Sequence, residues 1–386
     1  MTQRLPRTDG SGPLRILLLV TGLRLGGAEQ QVAALSRAFS AMGHAVAVVS
    51  LTTGREVTLA PAAEYRAVDM RKTPWSMLRS LLEVRTFVKA WRPDVIHSHM
   101  VHANLFARML TRIVAAPPLV CTAHSMREGG RLRMALYRIT DSWCALTTHV
   151  SAAGRQQMID VGAARPSRLA VVANGIDTAA FHPDAARRHA TRAALPLSPD
   201  ARLLLNVGRL VEEKDQATLI EAFARVRQQG FDVRLAIAGD GPRRQSLEQK
   251  IHSLGLDDAA WLLGRRADVA ELMTAADVFV LSSRIEGMPL VVGEAMACGT
   301  SVVSTDAPGV KELCGSLARI VPTGDAQALA EAICAALRED PHEAGQAAAR
   351  RERVVSQFGL QATAARWIDI YHQLIQAPRL MHRGST

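Results

Sequence analysis

Val278-Phe279-Val280-Leu281, then Arg284-Ile285-Glu286-Gly287-Met288-Pro289-Leu290-Val291-Val292-Gly293-Glu294-Ala295-Met296-Ala297-Cys298-Gly299, then Ser301-Val302-Val303-Ser304, is the stretch that sets the fold. The first run is short, apolar and β-branched, which reads as a buried strand. Pro289 suits the first position of a helix, where its missing N–H is no loss. Gly299 suits the stop, and a second apolar run follows at once. Strand, helix, glycine, strand is the rhythm of a parallel βαβ unit. The same rhythm runs outward in both directions. Upstream it gives strands near 203–207, 233–238 and 261–263, with helices near 216–229, 243–254 and 269–275. Downstream come a helix over 326–338 and a helical tail to about 375. Before a polar, proline-bearing stretch at 181–199, the first half repeats it. Strands are expected near 14–20, 45–51, 94–97, 119–122, 146–150 and 169–172, and helices near 27–42, 75–91, 104–113 and 131–141. The reading is α/β, with two Rossmann-like doubly wound domains, 1–190 and 191–361, facing across a cleft. In such sheets the ligand lies beyond the carboxyl ends of the strands.

Composition narrows the function. The chain has 386 residues, 48% hydrophobic and 21% charged, which excludes disorder, collagen and coiled coil. Five dispersed cysteines with no C-x-x-C pair fit a reducing compartment and argue against a disulfide scaffold or a structural zinc. No apolar run approaches the roughly 20 residues of a membrane span. Arg4, Arg7 and Arg15 precede the apolar run at 16–20, but Arg24 interrupts it, so that run reads as a first strand and not as a signal peptide. The net charge of +10 is lopsided. Residues 1–196 hold 25 Lys and Arg against 12 Asp and Glu, while 197–386 hold 21 against 24. Nucleic acid is excluded as the partner, because aromatics for stacking make up only 4%. An anionic membrane, a phosphorylated substrate or a merely solvated basic face remain.

The turn Gly287-Met288-Pro289-Leu290 opens a helix whose free N–H groups (Pro289 has none) and dipole favour an anion. Glu286 at the strand end and Glu294 within the helix straddle that turn, placed to grip hydroxyls on either side of a diphosphate. Arg209 ends the strand at 203–207 and Lys214 precedes the next helix. Two fixed cations can neutralise a diphosphate, although Glu212 and Glu213 could instead pair with them. Gly26-Gly27 after the first strand either admits a ligand close to the backbone or makes a tight turn. Gly239-Asp240-Gly241-Pro242 either lines a base pocket or simply turns. The dinucleotide fingerprint G-x-G-x-x-G is absent, which disfavours a dehydrogenase. His124 ends the strand at 119–122. His97, His99 and His102 have the look of metal ligands, but no nearby acid completes a set, and a structural role is favoured. No Asp-x-Asp, the usual metal–diphosphate clamp, occurs in the chain.

The block from Glu286 to Glu294 resembles the E-x7-E motif of the retaining nucleotide-sugar glycosyltransferases of family 4, which have the GT-B fold. The Gly26-Gly27 loop, His124, Asn174-Gly175-Ile176-Asp177, Gly208-Arg209 with Lys214, and Gly239 to Pro242 extend the resemblance over nearly the whole chain. It implies that Arg209 and Lys214 hold the donor diphosphate and that Glu286 contacts the transferred sugar. It further implies that the 287–290 amides meet diphosphate or sugar, that Glu294 binds the donor ribose, and that His124 lies near the sugar. Gly26 and Gly27 admit the donor phosphates. No cofactor and no divalent metal are implied, and a final helix at about 362–378 packs back on the first domain. The expected activity is transfer of a hexose or N-acetylhexosamine from a nucleotide sugar, UDP before GDP, to a lipid-linked or cell-surface polysaccharide or lipopolysaccharide precursor. A nucleotide-sugar-binding protein without turnover and a GT-B-like epimerase are the alternatives. The basic first half, with Arg79, Arg85, Lys89 and Arg92 on one helix and Arg127, Arg131, Arg133 and Arg138 on another, implies a cytoplasmic protein that lies on an anionic membrane surface.

Overall fold

The computed structural model describes residues 12–24, 26–126, 129–198, 200–340 and 343–377. Arg4, Arg7 and Arg127 lie outside the described residues. The chain forms two compact units.

The first unit runs through Val150, adds Arg155–Gly175, and recovers the chain from Leu360 onward. Its elements are β1 (Arg15–Val20), α1 (Gly27–Ala41), β2 (Ala45–Ser50), β3 (Glu64–Ala67), α2 (Pro74–Trp91), β4 (Val95–His99), α3 (Val101–Leu110), β5 (Leu119–Ala123), α4 (Arg131–Ile139), β6 (Leu146–His149), α5 (Ala152–Asp160) and β7 (Leu169–Val171). The strands are parallel, in the order β3-β2-β1-β4-β5-β6-β7. β1 shows why a near-continuous apolar run makes a central strand. Ile16, Leu18 and Val20 enter the core under α1, while Leu17 and Leu19 enter the opposite core with Val84, Phe87 and Phe106. A strand buried on both faces has no polar side to show.

The second unit comprises Ser151–Gly154 and Ile176–Gly359. It contains α6 (Ala185–Ala194), β8 (Arg202–Val207), α7 (Gln216–Gln228), β9 (Val233–Ala238), α8 (Arg244–Ser253), β10 (Ala260–Gly264), α9 (Val269–Ala275), β11 (Val278–Leu281), α10 (Leu290–Ala297), β12 (Ser301–Thr305), α11 (Val310–Cys314), β13 (Arg319–Val321), α12 (Ala326–Arg338) and α13 (Ala344–Phe358). Its parallel sheet has the order β10-β9-β8-β11-β12-β13. The chain changes unit at Gly175, earlier than the expected 190/191. α6 packs on α9, and its Arg188 and Arg192 bind Asp277, so the polar stretch belongs to the second unit.

α14 (Leu360–Gln376) closes the chain in the first unit. It packs on α1 and buries Trp367, Ile368 and Tyr371 in the core beneath that helix. Pro289 stands at the N-cap of α10, not inside its first turn as the sequence suggested, with φ −77° and ψ 95°. Gly299 takes φ +77° after α10, the left-handed stop expected of it.

Candidate functional site

In the second unit the strand order reverses between β8 and β11, which pair side by side. The connections leaving their carboxyl ends are therefore driven apart and leave room for a ligand there. Arg209 and Lys214 leave β8, and Glu286 leaves β11. Backbone and side-chain bonds tie the two connections together. Arg284 N–H donates to the Glu213 carbonyl at 2.8 Å, and Ser282 Oγ donates to the Lys214 carbonyl at 2.8 Å. Asp215 takes the left-handed conformation, φ 46°, which Asp tolerates better than most residues. Its Oδ2 accepts from Thr218 Oγ1 and from Arg284 Nε, both at 2.8 Å. Lys214 Nζ is thereby delivered 2.5 Å from Glu286 Oε1. Glu212 and Glu213 do not take it. Arg209 is exposed, and its carbonyl is held by Gln216 Nε2 at 3.0 Å.

Gly239 is explained by close packing. Its φ is +148°, and a Cβ there would lie 1.9 Å from the Gly208 carbonyl oxygen. The turn after β9 thus lies directly against Gly208, next to Arg209. Gly309, which the sequence reading passed over, backs the turn before α10 in the same way, since a Cβ on it would meet the Gly287 oxygen at 2.5 Å. Gly287, Met288 and Pro289 are buried, Leu290 is half-buried, and Leu290 begins the helix. Helix geometry leaves the first amides of α10 without intrahelical acceptors. Glu294 lies in the next turn, half-buried and beside Asp177. Burial, with a smaller push from the Asp177 carboxylate, raises its pKa to about 7. Asp177 reaches α10 because Gly293 has no side chain: a Cβ there would collide with Ile176 Cδ1 at 2.0 Å.

The first unit holds Gly26, Gly27 and His124. Gly26 is the N-cap of α1 in an extended conformation, and a Cβ on it would lie 2.4 Å from Glu29 Oε2. Gly27 is exposed. His124 stands just past β5, with its Nε2 3.0 Å from His99 Nδ1. Burial, with the neighbouring His149, lowers the His124 pKa to about 3, so the ring is neutral at pH 7. β4 continues to His99, so His97 and His99 face the same side, with ring centroids 4.0 Å apart. His97 meets Tyr371 and Thr122 and not a third ligand. His99 was the partner missed in sequence, because nothing local shows which strand end lies next to which.

The helices flanked by basic residues carry apolar surface. On α2, Trp75, Leu78 and Leu82 are exposed at helical spacing, Trp75 by 76%. On α4, Leu132 (75%), Leu136 and Ile139 (68%) form an exposed stripe, while Tyr137 points inward. α3 contacts both helices, so all lie on one side of the sheet. Among the described residues, no helix is long and apolar enough to cross a membrane.

Comparison with known proteins places this geometry. Residues 25–180 match the family model described as Glycosyltransferase Family 4, and residues 187–353 match Glycosyl transferases group 1. The chain is 27% identical over 398 residues to a D-inositol 3-phosphate glycosyltransferase of Thermobispora bispora, covering 96% of this chain and 92% of that one. It is 27% identical over 389 residues to a glycogen synthase of Mycobacterium tuberculosis, covering 90% and 91%. Among solved structures, Anabaena HepE in complex with UDP and glucose superposes with a TM-score of 0.80 at 22% identity, over 92% of this chain and 99% of that chain. The shared architecture is GT-B.

Proposed function

We propose, for a chain that belongs to the group 1 and family 4 glycosyltransferases, that it moves a hexose or N-acetylhexosamine from a nucleotide sugar to a lipid-linked or cell-surface polysaccharide precursor, with retention at the anomeric carbon. The observation that carries this reading is one constellation in the second unit. The Lys214–Glu286 pair sits at the turn that opens α10, with Glu294 one turn further in. In the transfer, the bond from C1 to the diphosphate oxygen breaks and a bond from C1 to the acceptor oxygen forms on the same face. The acceptor proton passes to the leaving diphosphate. Lys214, Arg209 and the α10 amides would take up the charge that develops there. They occupy the role that a metal clamp fills in other transferases, and the chain has no Asp-x-Asp. Glu286 would meet the sugar hydroxyls, and Glu294 the ribose.

The test is a thermal-shift panel of UDP-, GDP-, ADP- and dTDP-sugars, with and without EDTA, on wild type and Glu294→Ala. The UDP held by the Anabaena relative makes UDP the first nucleotide to try. A donor at a hundred times its Kd should add about 2.7 kcal/mol of stability. One nucleotide class should stabilise wild type but not the variant, with no change on EDTA. A shift that EDTA abolishes would overturn metal independence, and no shift with any donor would overturn the donor site.

The Glu294 pKa gives a second expectation. Ribose hydroxyls donate to a carboxylate, so the ionised form binds. Below its pKa of about 7 the group is protonated. The Kd for the donor sugar should therefore rise roughly tenfold per pH unit below 7 and level off above 7.5. Calorimetric titration from pH 6 to 8.5 would show this, and Glu294→Gln should flatten the profile at weak affinity. A wild-type profile already flat would remove the carboxylate from the ribose site.

The acceptor reading rests on the first unit. α2 and α4 each present apolar side chains beside Arg79, Arg85, Lys89, Arg131, Arg133 and Arg138, as helices lying on anionic lipid do. Each basic residue near such a surface contributes about 1 kcal/mol. Wild type should sediment with phosphatidylglycerol vesicles at low salt and not with phosphatidylcholine. The variant Leu132→Ser/Leu136→Ser/Ile139→Ser should stay in the supernatant. Failure of wild type to sediment with the anionic vesicles would sink the membrane reading.

A further inference from the structure

We infer that Lys72, His102 and Arg133 form a site for the phosphate or diphosphate of a lipid-linked acceptor, with Trp75 and Leu132 covered by the start of its apolar chain. That an anion binds here stands on the first unit alone. That the anion belongs to the acceptor rests on the transferase reading above.

Three successive connections bring the cations together. Lys72 lies between β3 and α2, His102 stands in the first turn of α3 after β4, and Arg133 in the first turn of α4 after β5. The strands are parallel, so these residues gather at the carboxyl end of the sheet, where His124 and the Gly26-Gly27 turn also lie. α3 packs against both α2 and α4. The His102 ring feels both neighbours. Partial burial lowers its pKa first, and repulsion from Arg133 and then from Lys72 lowers it further.

No opposite charge answers them. Among the described residues, none of the three has a carboxylate partner, since Asp69 pairs with Arg71 and Glu83 with Arg66. α3 and α4 contain no acid, and α2 carries none in its first turn, where acids are ordinarily favoured. All three residues are exposed and open to a ligand from solution. Like charges held close repel until an anion bridges them. Donors arriving from three connections exceed the two oxygens of a carboxylate and match the three of a phosphate.

The apolar neighbours indicate what the phosphate is attached to. Trp75 and Leu132 are the two most exposed large apolar side chains among the described residues. Each stands in the first turn of its helix beside a cation, Trp75 just after Lys72 and Leu132 next to Arg133. A soluble phosphate ester would leave this apolar surface wet, whereas a lipid chain leaving the phosphate covers it.

The test titrates the whole protein by calorimetry with farnesyl diphosphate, kept below its micelle concentration, and with inorganic pyrophosphate. Wild type should bind both, farnesyl diphosphate about tenfold more tightly. Lys72→Ala/His102→Ala/Arg133→Ala should weaken both by about tenfold or more. Trp75→Ala/Leu132→Ala should weaken farnesyl diphosphate alone, by about tenfold. Arg165→Ala/Arg366→Ala removes the same formal charge from exposed positions of the first unit and should leave both affinities within about twofold. An unchanged affinity for farnesyl diphosphate in the triple variant, or an equal loss in Arg165→Ala/Arg366→Ala, would overturn the site. Pyrophosphate bound as tightly as farnesyl diphosphate would overturn the lipid and leave a soluble phosphate ester as the ligand. Every variant should keep the wild-type thermal shift with a nucleotide sugar, because Lys214, Glu286 and Glu294 lie in the second unit. A wild type that shifts with no donor would remove the transferase reading, while the titration would still decide the anion site.

Discussion

Lys214→Met should lower kcat by roughly 10²–10³, or about 2.7–4 kcal/mol of barrier, while changing donor affinity far less. The size follows from how Lys214 is held. A lysine on a free loop would be a mobile, hydrated charge and would give little. Here the Glu213 carbonyl, the Lys214 carbonyl and the Asp215 carboxylate are each bonded to the segment that leaves β11. The Lys214 side chain is only 24% exposed and its ammonium is aimed at Glu286, whose side chain is 9% exposed. A cation fixed before the reaction need not reorganise when charge builds on the leaving diphosphate. Methionine keeps the length and packing of the stem and removes the charge alone. Arg209 cannot take over, because it is exposed and none of these ties places its guanidinium. Single-turnover rates with saturating donor, beside donor titration, would separate the two effects. A kcat within about threefold of wild type would mean that Lys214 serves Glu286 structurally and leaves the diphosphate to other groups. Lys214→Arg should recover little, since its fork does not fit where a single ammonium meets one carboxylate oxygen.

What could be read from the sequence divides by burial and by sequence distance. β1, β8 and β11 were legible because both their faces are buried and their interior residues are nearly all apolar, Asn206 in β8 apart. β3 and β13 were not read. They are edge strands with exposed or half-buried residues, so their patterns carry little apolar signal. α5 escaped because its few apolar residues show almost no periodicity. The turn at Glu286 was legible because glycine, proline and the two acids are local. The Lys214–Glu286 pair and the His99–His124 contact were not, because each joins the ends of separate strands. Sheet order alone brings those ends together. Gly239 was read as lining a base pocket or as part of a turn; the Gly208 carbonyl packed against it is likewise a contact between strand ends.

A second large effect lies at the opposite end of the same sheet. Asp277→Ala should destabilise the second unit by about 3–5 kcal/mol, the cost of leaving buried charges without their partner. Asp277 stands immediately before β11, with its side chain 1% exposed. Its oxygens meet Arg188 Nη2 at 2.7 Å, Arg192 Nη1 at 3.1 Å and Arg202 Nη1 at 3.5 Å. Oδ2 also accepts from the Leu203 amide at 2.7 Å. Arg188 in turn donates to the carbonyls of Thr274, Ala275 and Ala276 at the end of α9. Removing the carboxylate therefore strands two arginines on carbonyl dipoles and orphans a buried amide. Arg202 is 42% exposed, so its own pair is screened, and Arg202→Ala should cost under about 1 kcal/mol. For a unit of this size, the loss at Asp277 amounts to roughly 6–20 °C in Tm. Trp261 is the tryptophan of the second unit and reports its unfolding directly in urea. Asp277 sits at the amino end of β11, whereas Glu286 and Lys214 lie beyond the carboxyl ends. Well below its lowered Tm the variant should therefore keep kcat within about twofold of wild type, while Lys214→Met should lose kcat at every temperature. If Asp277→Ala lost activity in the cold as well, the α6 anchor would be shaping the donor site and not merely holding the unit together.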